Sequence, residues 1–250
     1  RTEGNRNVGI DPIEKYKRDA AVLLSALTDP EDPNYDPENE RYKFYLGQSY
    51  FDSHQFDKAE EWYQKRADAG GWPEETFYSL LRVGMCKAIQ EKPQEEIIFA
   101  FLEAHGARPT RAEPLYHLAR IYREVLDKPA IAYLFAKRAA ELPYPKDDIL
   151  FITNDIYSWL ALDELATCAY SVGDVHLGYQ VSKKLLEDKL IPDEENQKRI
   201  FANFKSYEQM VVKMQAHAYE ESLQQKIQTQ EQKKKIKEEK KDQGKKINES

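Results

Sequence analysis

The chain has 250 residues and a formal net charge of −7; 41% of the residues are apolar, 12% aromatic and 32% charged. This content of apolar and aromatic side chains excludes a chain that is disordered throughout. The acidic balance disfavours a nucleic-acid-binding protein, because phosphates are neutralised by a concentrated basic surface.

Residues 1–10 contain no recognisable secretory signal, and we expect them to be a linker or the end of a preceding domain. No apolar run in the chain approaches the roughly 20 residues needed to span a bilayer, so no membrane span is expected. Cys86 and Cys168 both lie within helical patterns, and such isolated cysteines suit a reducing compartment. A cytoplasmic location is therefore the expectation.

Residues 11–39 are predicted to form one helix followed by an acidic loop. The stretch "DPIEKYKRDAAVLLSAL" is amphipathic, with Asp11 as its N-cap and Pro12 in its first turn. The loop "TDPEDPNYDPENE" resembles a calcium-binding loop in composition only, because the glycine and the final glutamate of an EF-hand are absent at the required spacing. It is interpreted as a solvated linker.

Residues 40–192 repeat a pattern of two short amphipathic helices. The first copy is "RYKFYLGQSYFDSHQFDKAEEWYQKRADAGG", in which a glycine lies among aromatic residues on one helical face. The spacing of the copies is close to that of the tetratricopeptide repeat, a helix–turn–helix unit of about 34 residues. We predict an all-α, tetratricopeptide-like repeat solenoid of about four helix pairs, with an insert near residues 144–159. An unrelated helical bundle is the alternative.

A small residue in the first helix of each pair lets the second helix approach closely, and stacking of the pairs then supplies the core. A matching small residue, Ala59 or Gly178, is expected to face it from the second helix. Within the insert, "DDILFIT" is the one plausible strand, and an irregular loop explains it equally well. The predicted small positions of the four first helices are Gly47, Gly84, Ala119 and Ala166.

Two segments follow the repeats. Residues 193–219 carry an apolar stripe that suits a helix capping the last repeat, with the seam of a short coiled coil as the alternative. Residues 220–250 intermix lysines and glutamates and are predicted to be a charged, weakly structured tail, either helix or fluctuating coil, without a packed core. Contact of this tail with nucleic acid or membrane is the weaker alternative. The members of the stripe are Ile200, Phe204, Tyr207, Val211, Met214 and Ala218.

The sequence predicts no catalytic residue and no metal ligand. Its five histidines lack metal-ligand spacing, and it has no glycine-rich phosphate loop, serine nucleophile elbow or Asp-x-Asp motif. Its carboxylates have no recognisable acid–base partner, so most are expected to cap helices or to be solvated.

A partner-binding surface is predicted instead on the concave face of the array, which the first helices of the pairs line. Three arginines in this region are candidates for an anion site, because guanidinium groups suit carboxylates and phosphates. The alternative is that they pair with neighbours such as Glu113 and Glu124. The predicted surface residues are Phe44, Gln48, Phe51 and Asp52 from the first unit, Arg111, and Tyr116, Arg120 and Arg123 from the third unit.

Three stretches, "RPTRAEPLYHLARIYRE", "AYLFAKRAAELPYPKDDILFI" and "IYSWLALDELATCAYSVGD", resemble the tetratricopeptide-like C-terminal region of family-2-like (GT-A) glycosyltransferases. The resemblance covers roughly Asp11 to Tyr207 and includes the non-consensus corner Arg108–Pro114.

The resemblance implies a non-catalytic helical-repeat module that acts in acceptor or partner binding, in self-association, or in both. A nucleotide sugar and a divalent metal would then belong to a separate catalytic domain, and whether the whole polypeptide is an enzyme stays open. The alternative is a free-standing tetratricopeptide adaptor that binds a peptide or protein in its groove. A protein, peptide or glycan acceptor is the expected partner.

Overall fold

The computed structural model describes residues 11–188 and 191–247, with side chains described as far as Lys233. These residues form ten α-helices, and no strand occurs among them. The prediction of an all-α protein is therefore confirmed for the described part of the chain. Two compact units are distinguished, with their boundary between Val172 and Gly173.

In the first unit, each helix packs against the next helix along the chain. This consecutive packing is consistent with an α-solenoid, while the tetratricopeptide character of the repeats stays a prediction. A π-helical turn, Ile121–Val125, extends α6, and another, Ile156–Leu160, precedes α8. The helices are α1 (Pro12–Thr28), α2 (Glu40–Asp52), α3 (Phe56–Asp68), α4 (Pro73–Ile89), α5 (Gln94–Ala107), α6 (Glu113–Arg120), α7 (Pro129–Glu141) and α8 (Ala161–Val172).

The beginning of α1 follows the predicted capping chemistry. The Asp11 side chain accepts a hydrogen bond from the Ile13 N–H at 3.2 Å, and Pro12 occupies the first turn. A proline fits there because the first-turn N–H groups have no partner within the helix. Asn39 caps α2 in the same way, accepting from the Tyr42 N–H at 2.9 Å.

Two glycines mark the close approach between paired helices. A Cβ atom at Gly47 of α2 would lie 3.0 Å from the ring of Tyr63 in α3, and one at Gly84 of α4 would lie 2.9 Å from the ring of Phe101 in α5. At these distances a larger residue would require the facing ring to shift. The predicted role of a small side chain in the first helix is therefore seen in both pairs.

The predicted insert begins with an irregular segment, residues 142–153, which we call the strap. The stretch "DDILFIT" belongs to it and forms no strand, in agreement with the loop interpretation. The insert ends in the π-helical turn that leads into α8.

The second unit contains α9 (Val175–Glu187) and α10 (Glu194–Ile247). Phe204 of α10 stacks on Tyr179 of α9 with ring centroids 5.3 Å apart. Ile200 and Tyr207 are buried, so the first part of the predicted capping stripe packs as a cap on α9.

Two expectations for this region need correction. A Cβ atom at Gly178 would overlap the ring of Tyr207, so Gly178 faces α10 instead of the first helix of its predicted pair. The boundary between the compact units also falls at the turn of that predicted fourth pair. The charged tail is helical through Ile247, which is one of the two states expected for it. Glycine is rare in this tail, proline is absent, and Lys and Glu favour helix, which accounts for the helical state.

Candidate functional site

An open cavity of about 480 Å³ lies in the first unit between α4, α6 and the strap, and we call it the groove. Two of its walls, α4 and α6, are the predicted first helices of successive pairs, and the strap forms a third wall that was not expected. The lining residues are Tyr78, Leu81, Arg82 and Met85 from α4, Tyr116, His117 and Arg120 from α6, and Phe151, Ile152, Thr153, Ile156 and Leu160 from the strap and the turn after it.

Arg82 is a charged residue of the groove that was not among the predicted surface residues. Its Nε donates to the Tyr78 hydroxyl oxygen at 2.7 Å, and its Nη2 donates to the same atom. The guanidinium carbon lies 4.3 Å from the ring centroid of Phe51 and 4.9 Å from that of Tyr78. Within the described residues, no carboxylate forms an ion pair with Arg82. Three of its five N–H donors therefore have no protein acceptor there.

Arg120 and Tyr116, two of the predicted surface residues, both line the groove, although Tyr116 is largely buried. The guanidinium of Arg120 is exposed and pairs with Glu124 of the following turn, at 3.3 Å from Nε and 2.8 Å from Nη2. This hydrogen bonding raises the pKa of Arg120. Arg123 lies outside the groove lining and pairs with Glu164 at 2.6 and 2.7 Å, as well as with Glu124. Both arginines follow the alternative of pairing with neighbours.

Arg111 is not on the groove surface, which corrects its predicted place in an anion site. Its side chain is fully buried and forms a bidentate pair with Glu113, at 2.7 Å from Nη2 and 3.0 Å from Nε. Its Nη1 lies 3.2 Å from Asp148, and its Nη2 donates to the Phe151 carbonyl at 3.2 Å. Since guanidinium donors match two carboxylates and a carbonyl at once, Arg111 holds the strap in place.

Further polar contacts fix the strap. Glu74, at the start of α4, accepts hydrogen bonds through its Oε2 from the backbone N–H groups of Ile149 and Leu150, with N–O distances of 2.8 and 2.7 Å. Arg108 forms a bidentate pair with Asp148, at 2.7 and 2.5 Å, and holds the pKa of that carboxyl below its usual value. The strap therefore presents Phe151 to the groove from a firmly anchored backbone.

The four residues predicted from the first repeat copy lie in different environments. Phe44 is buried, 1% exposed, with its ring centroid 6.3 Å from that of Phe151, so the prediction of a surface position is wrong. Phe51 is half-buried beneath Arg82. Asp52 is also half-buried; burial raises its pKa, and the positive charge of Arg82 opposes this effect. Gln48 lines a separate cavity of about 490 Å³ between α1 and α2.

The groove combines two arginines with no aspartate or glutamate among its lining residues. His117 stacks on Phe101 at a centroid distance of 5.1 Å. Burial, together with the nearby Arg120 charge, lowers the pKa of His117 to about 4, so this side chain is neutral at pH 7. The positive charge of Arg82 is thus not compensated within the groove, although the protein as a whole carries −7. Such a site suits a carboxylate or phosphate.

A smaller cavity of about 250 Å³ adjoins the groove and shares Met85, His117 and Arg120 with it. Its remaining walls are mainly apolar and include Ile89 and Val125. An elongated ligand that reaches Arg82 therefore also finds apolar surface along the same line of helices.

No group of three or more His, Cys, Asp or Glu side chains in the described ranges is arranged to hold a metal ion. The helices of these ranges also include none that is both long and apolar enough to cross a bilayer. Comparison with protein-family models gave no match, and comparison with curated proteins gave no significant similarity. The resemblance to glycosyltransferase repeat regions therefore stays a prediction.

Proposed function

We propose that this chain is a non-catalytic, partner-binding helical-repeat module whose groove holds an extended protein segment with an acidic side chain. The observation that supports the proposal is Arg82, a half-buried guanidinium group with free N–H donors and no carboxylate partner among the described residues. An incoming carboxylate would supply that partner and form a charge-assisted hydrogen bond.

The surroundings of Arg82 favour an extended segment over a free ion. The rings of Tyr78, Tyr116 and Phe151 line the same cavity, and the adjoining apolar cavity continues past Met85. Aromatic side chains bury large areas at interfaces at low cost in side-chain entropy. A segment with an acidic residue next to a bulky apolar residue would use both regions.

The test is to select, from a library of short random peptides, those that bind the purified chain, and then to measure the affinity of the selected peptides with a fluorescent label. We expect selected peptides to contain aspartate or glutamate and to bind Arg82→Gln at least about tenfold more weakly, since a charge-assisted hydrogen bond contributes about 1.5–3 kcal/mol. The matched control is Arg138→Gln, because Arg138 is exposed and pairs only loosely, at 3.7 Å, with Glu141. Peptides without acidic residues, or equal binding by Arg82→Gln, would contradict the proposal.

The glycosyltransferase resemblance and the free-standing adaptor differ in what the bound segment is for. In the first case it is part of a protein or glycan acceptor, and the nucleotide sugar and metal bind to a separate catalytic domain. In a polypeptide that joins such a domain to this chain, Arg82→Gln should raise the KM for the acceptor and leave the KM for the sugar donor unchanged. An unaltered acceptor KM would favour the adaptor.

A further inference from the structure

The long helix α10 has two apolar stripes, and its own unit covers only the beginning of the first, as far as Val211. The first stripe packs through Ile200, Phe204 and Tyr207 against α9. Beyond Val211 the coverage ends: every described side chain from Val212 to Lys233 except Ser222 is exposed.

The second stripe lies in this exposed part and was not recognised in the sequence. It is centred roughly 140° around the helix axis from the first stripe, at about 100° per residue. The four large members of the stripe are 47–68% exposed, which is unusual for a run of apolar side chains. The stripe consists of Val212, Ala216, Tyr219, Leu223 and Ile227.

The spacing of the second stripe is that of a coiled-coil seam. Its members follow one another at steps of four, three, four and four residues. Alternating steps of three and four place residues on one seam, and an additional step of four is a stutter that such seams accommodate. A helix in a protein gains most of its stability from the packing of an apolar face. The exposed part of α10 would therefore be stabilised by a partner that covers the second stripe.

We infer that this stripe pairs with the same stripe of a second copy of the chain, as a short parallel coiled coil. The charges beside the stripe favour a second copy. In a parallel pair, Glu208 of one helix lies opposite Lys213 of the other, and Lys226 lies opposite Glu231. Opposite charges on the two flanks of one helix make the surface complementary to itself. In an antiparallel pair centred on Tyr219, by contrast, Glu220 would face its own copy. The inference does not depend on the proposed function of the groove.

Sedimentation equilibrium of the full chain tests the inference. Over about a hundredfold range of concentration, the wild type should convert from monomer to dimer, because association follows mass action. Leu223→Lys should weaken the dimer at least about tenfold by placing a charge in the seam. Gln225→Lys adds the same charge at an exposed position on the opposite face and should leave the dimer unchanged. A chain that is monomeric at every concentration, or a dimer that tolerates Leu223→Lys, would overturn the inference.

Charge exchange and cross-linking test the parallel orientation. Lys226→Glu and Glu231→Lys should each weaken the dimer, and the double variant should restore it. Ile227→Cys should form an intersubunit disulfide on mild oxidation, because a parallel seam brings the two copies of that residue together, whereas Gln225→Cys should not. The native thiols of Cys86 and Cys168 are buried and do not interfere. A dimer without charge rescue and without the Ile227→Cys cross-link would exclude parallel pairing.

Discussion

The hydroxyl oxygen of Tyr78 accepts two N–H groups from Arg82, four residues further along α4. This contact directs one edge of the guanidinium toward Tyr78 and leaves the rest of it to the groove. Because the phenol is neutral, it orients Arg82 without neutralising its charge. Burial raises the pKa of Tyr78, which keeps the phenol protonated at neutral pH.

The first prediction concerns this orientation. Tyr78→Phe removes the acceptor but keeps the ring, so Arg82 becomes free to rotate. We expect acidic peptides selected on the wild type to bind this variant several-fold more weakly, because ordering a long side chain costs about 0.5–1.5 kcal/mol on binding. Fluorescence anisotropy measures the effect, with Tyr45→Phe, whose hydroxyl lies outside the groove, as the control. Unchanged affinity would mean that Tyr78 does not position Arg82.

The second prediction concerns the buried arginine. Arg111→Met leaves the buried Glu113 without its cationic partner and leaves Asp148 with Arg108 alone. Breaking a buried pair typically costs about 3–5 kcal/mol. We expect the free energy of unfolding, measured in urea, to fall by an amount of this order. Arg120→Met removes an exposed guanidinium and should cost no more than about 1 kcal/mol. Equal losses in the two variants would refute the assigned difference in role.

The third prediction concerns the contact between α4 and α5. Gly84→Ala places a methyl group 2.9 Å from the nearest atom of the Phe101 ring, so the ring must shift, and should destabilise the protein by about 1–3 kcal/mol. Gly106→Ala is the matched control, since a Cβ atom at this helical position meets no atom within 4 Å. That change should stabilise by up to about 1 kcal/mol, because alanine is the better helix former. Chemical denaturation distinguishes the two directions.

The fourth prediction concerns acid sensitivity. Burial lowers the pKa of His117 from 6.5 to about 4, so between these values the unfolded chain binds the proton more readily than the folded chain. This histidine therefore contributes stability above pH 6.5 that is lost as the pH falls toward 4. The loss amounts to up to about 3 kcal/mol. His117→Gln should show a shallower fall of the unfolding free energy over this range, and parallel curves for wild type and variant would contradict the assignment.

Much of the fold could be predicted because local chemistry determines it. The cap at Asp11 and the close approach at Gly47 and Gly84 follow from the residue types and their spacing. The role of Gly178 could not be predicted in the same way. Its packing partner is Tyr207, which lies on α10, and the sequence pattern alone does not show which helix a small residue faces.

The groove was predicted only in part, for a physical reason. Tyr116 and Arg120 lie three residues before and one residue after the small position Ala119, and both line the groove. The same offsets from Gly84 give Leu81 and Met85, which also line the groove but are not among the predicted residues. Arg82 falls outside these offsets, so the repeat pattern gives no signal for it.

The strap accounts for a second failure. Phe44 lies three residues before Gly47, where the pattern predicts a surface position, but the aromatic cluster that includes Phe151 of the strap encloses it. Contacts between segments so far apart in the chain are not encoded in local periodicity. Arg111 was misplaced for the same reason, because its partner Asp148 and its carbonyl acceptors belong to the strap.

The hydrogen bonds from Ile149 and Leu150 to Glu74 also change how the array should respond to a pulling force. In a simple repeat array each unit contacts its neighbours alone, so the ends can fray while the middle stays folded. Here the strap, which follows α7, is hydrogen-bonded to the first turn of α4. These bonds link the two sides of the groove. Pulling on the chain should therefore open α4 through α7 in one cooperative event, and the width of the groove should change little as the ends of the array move.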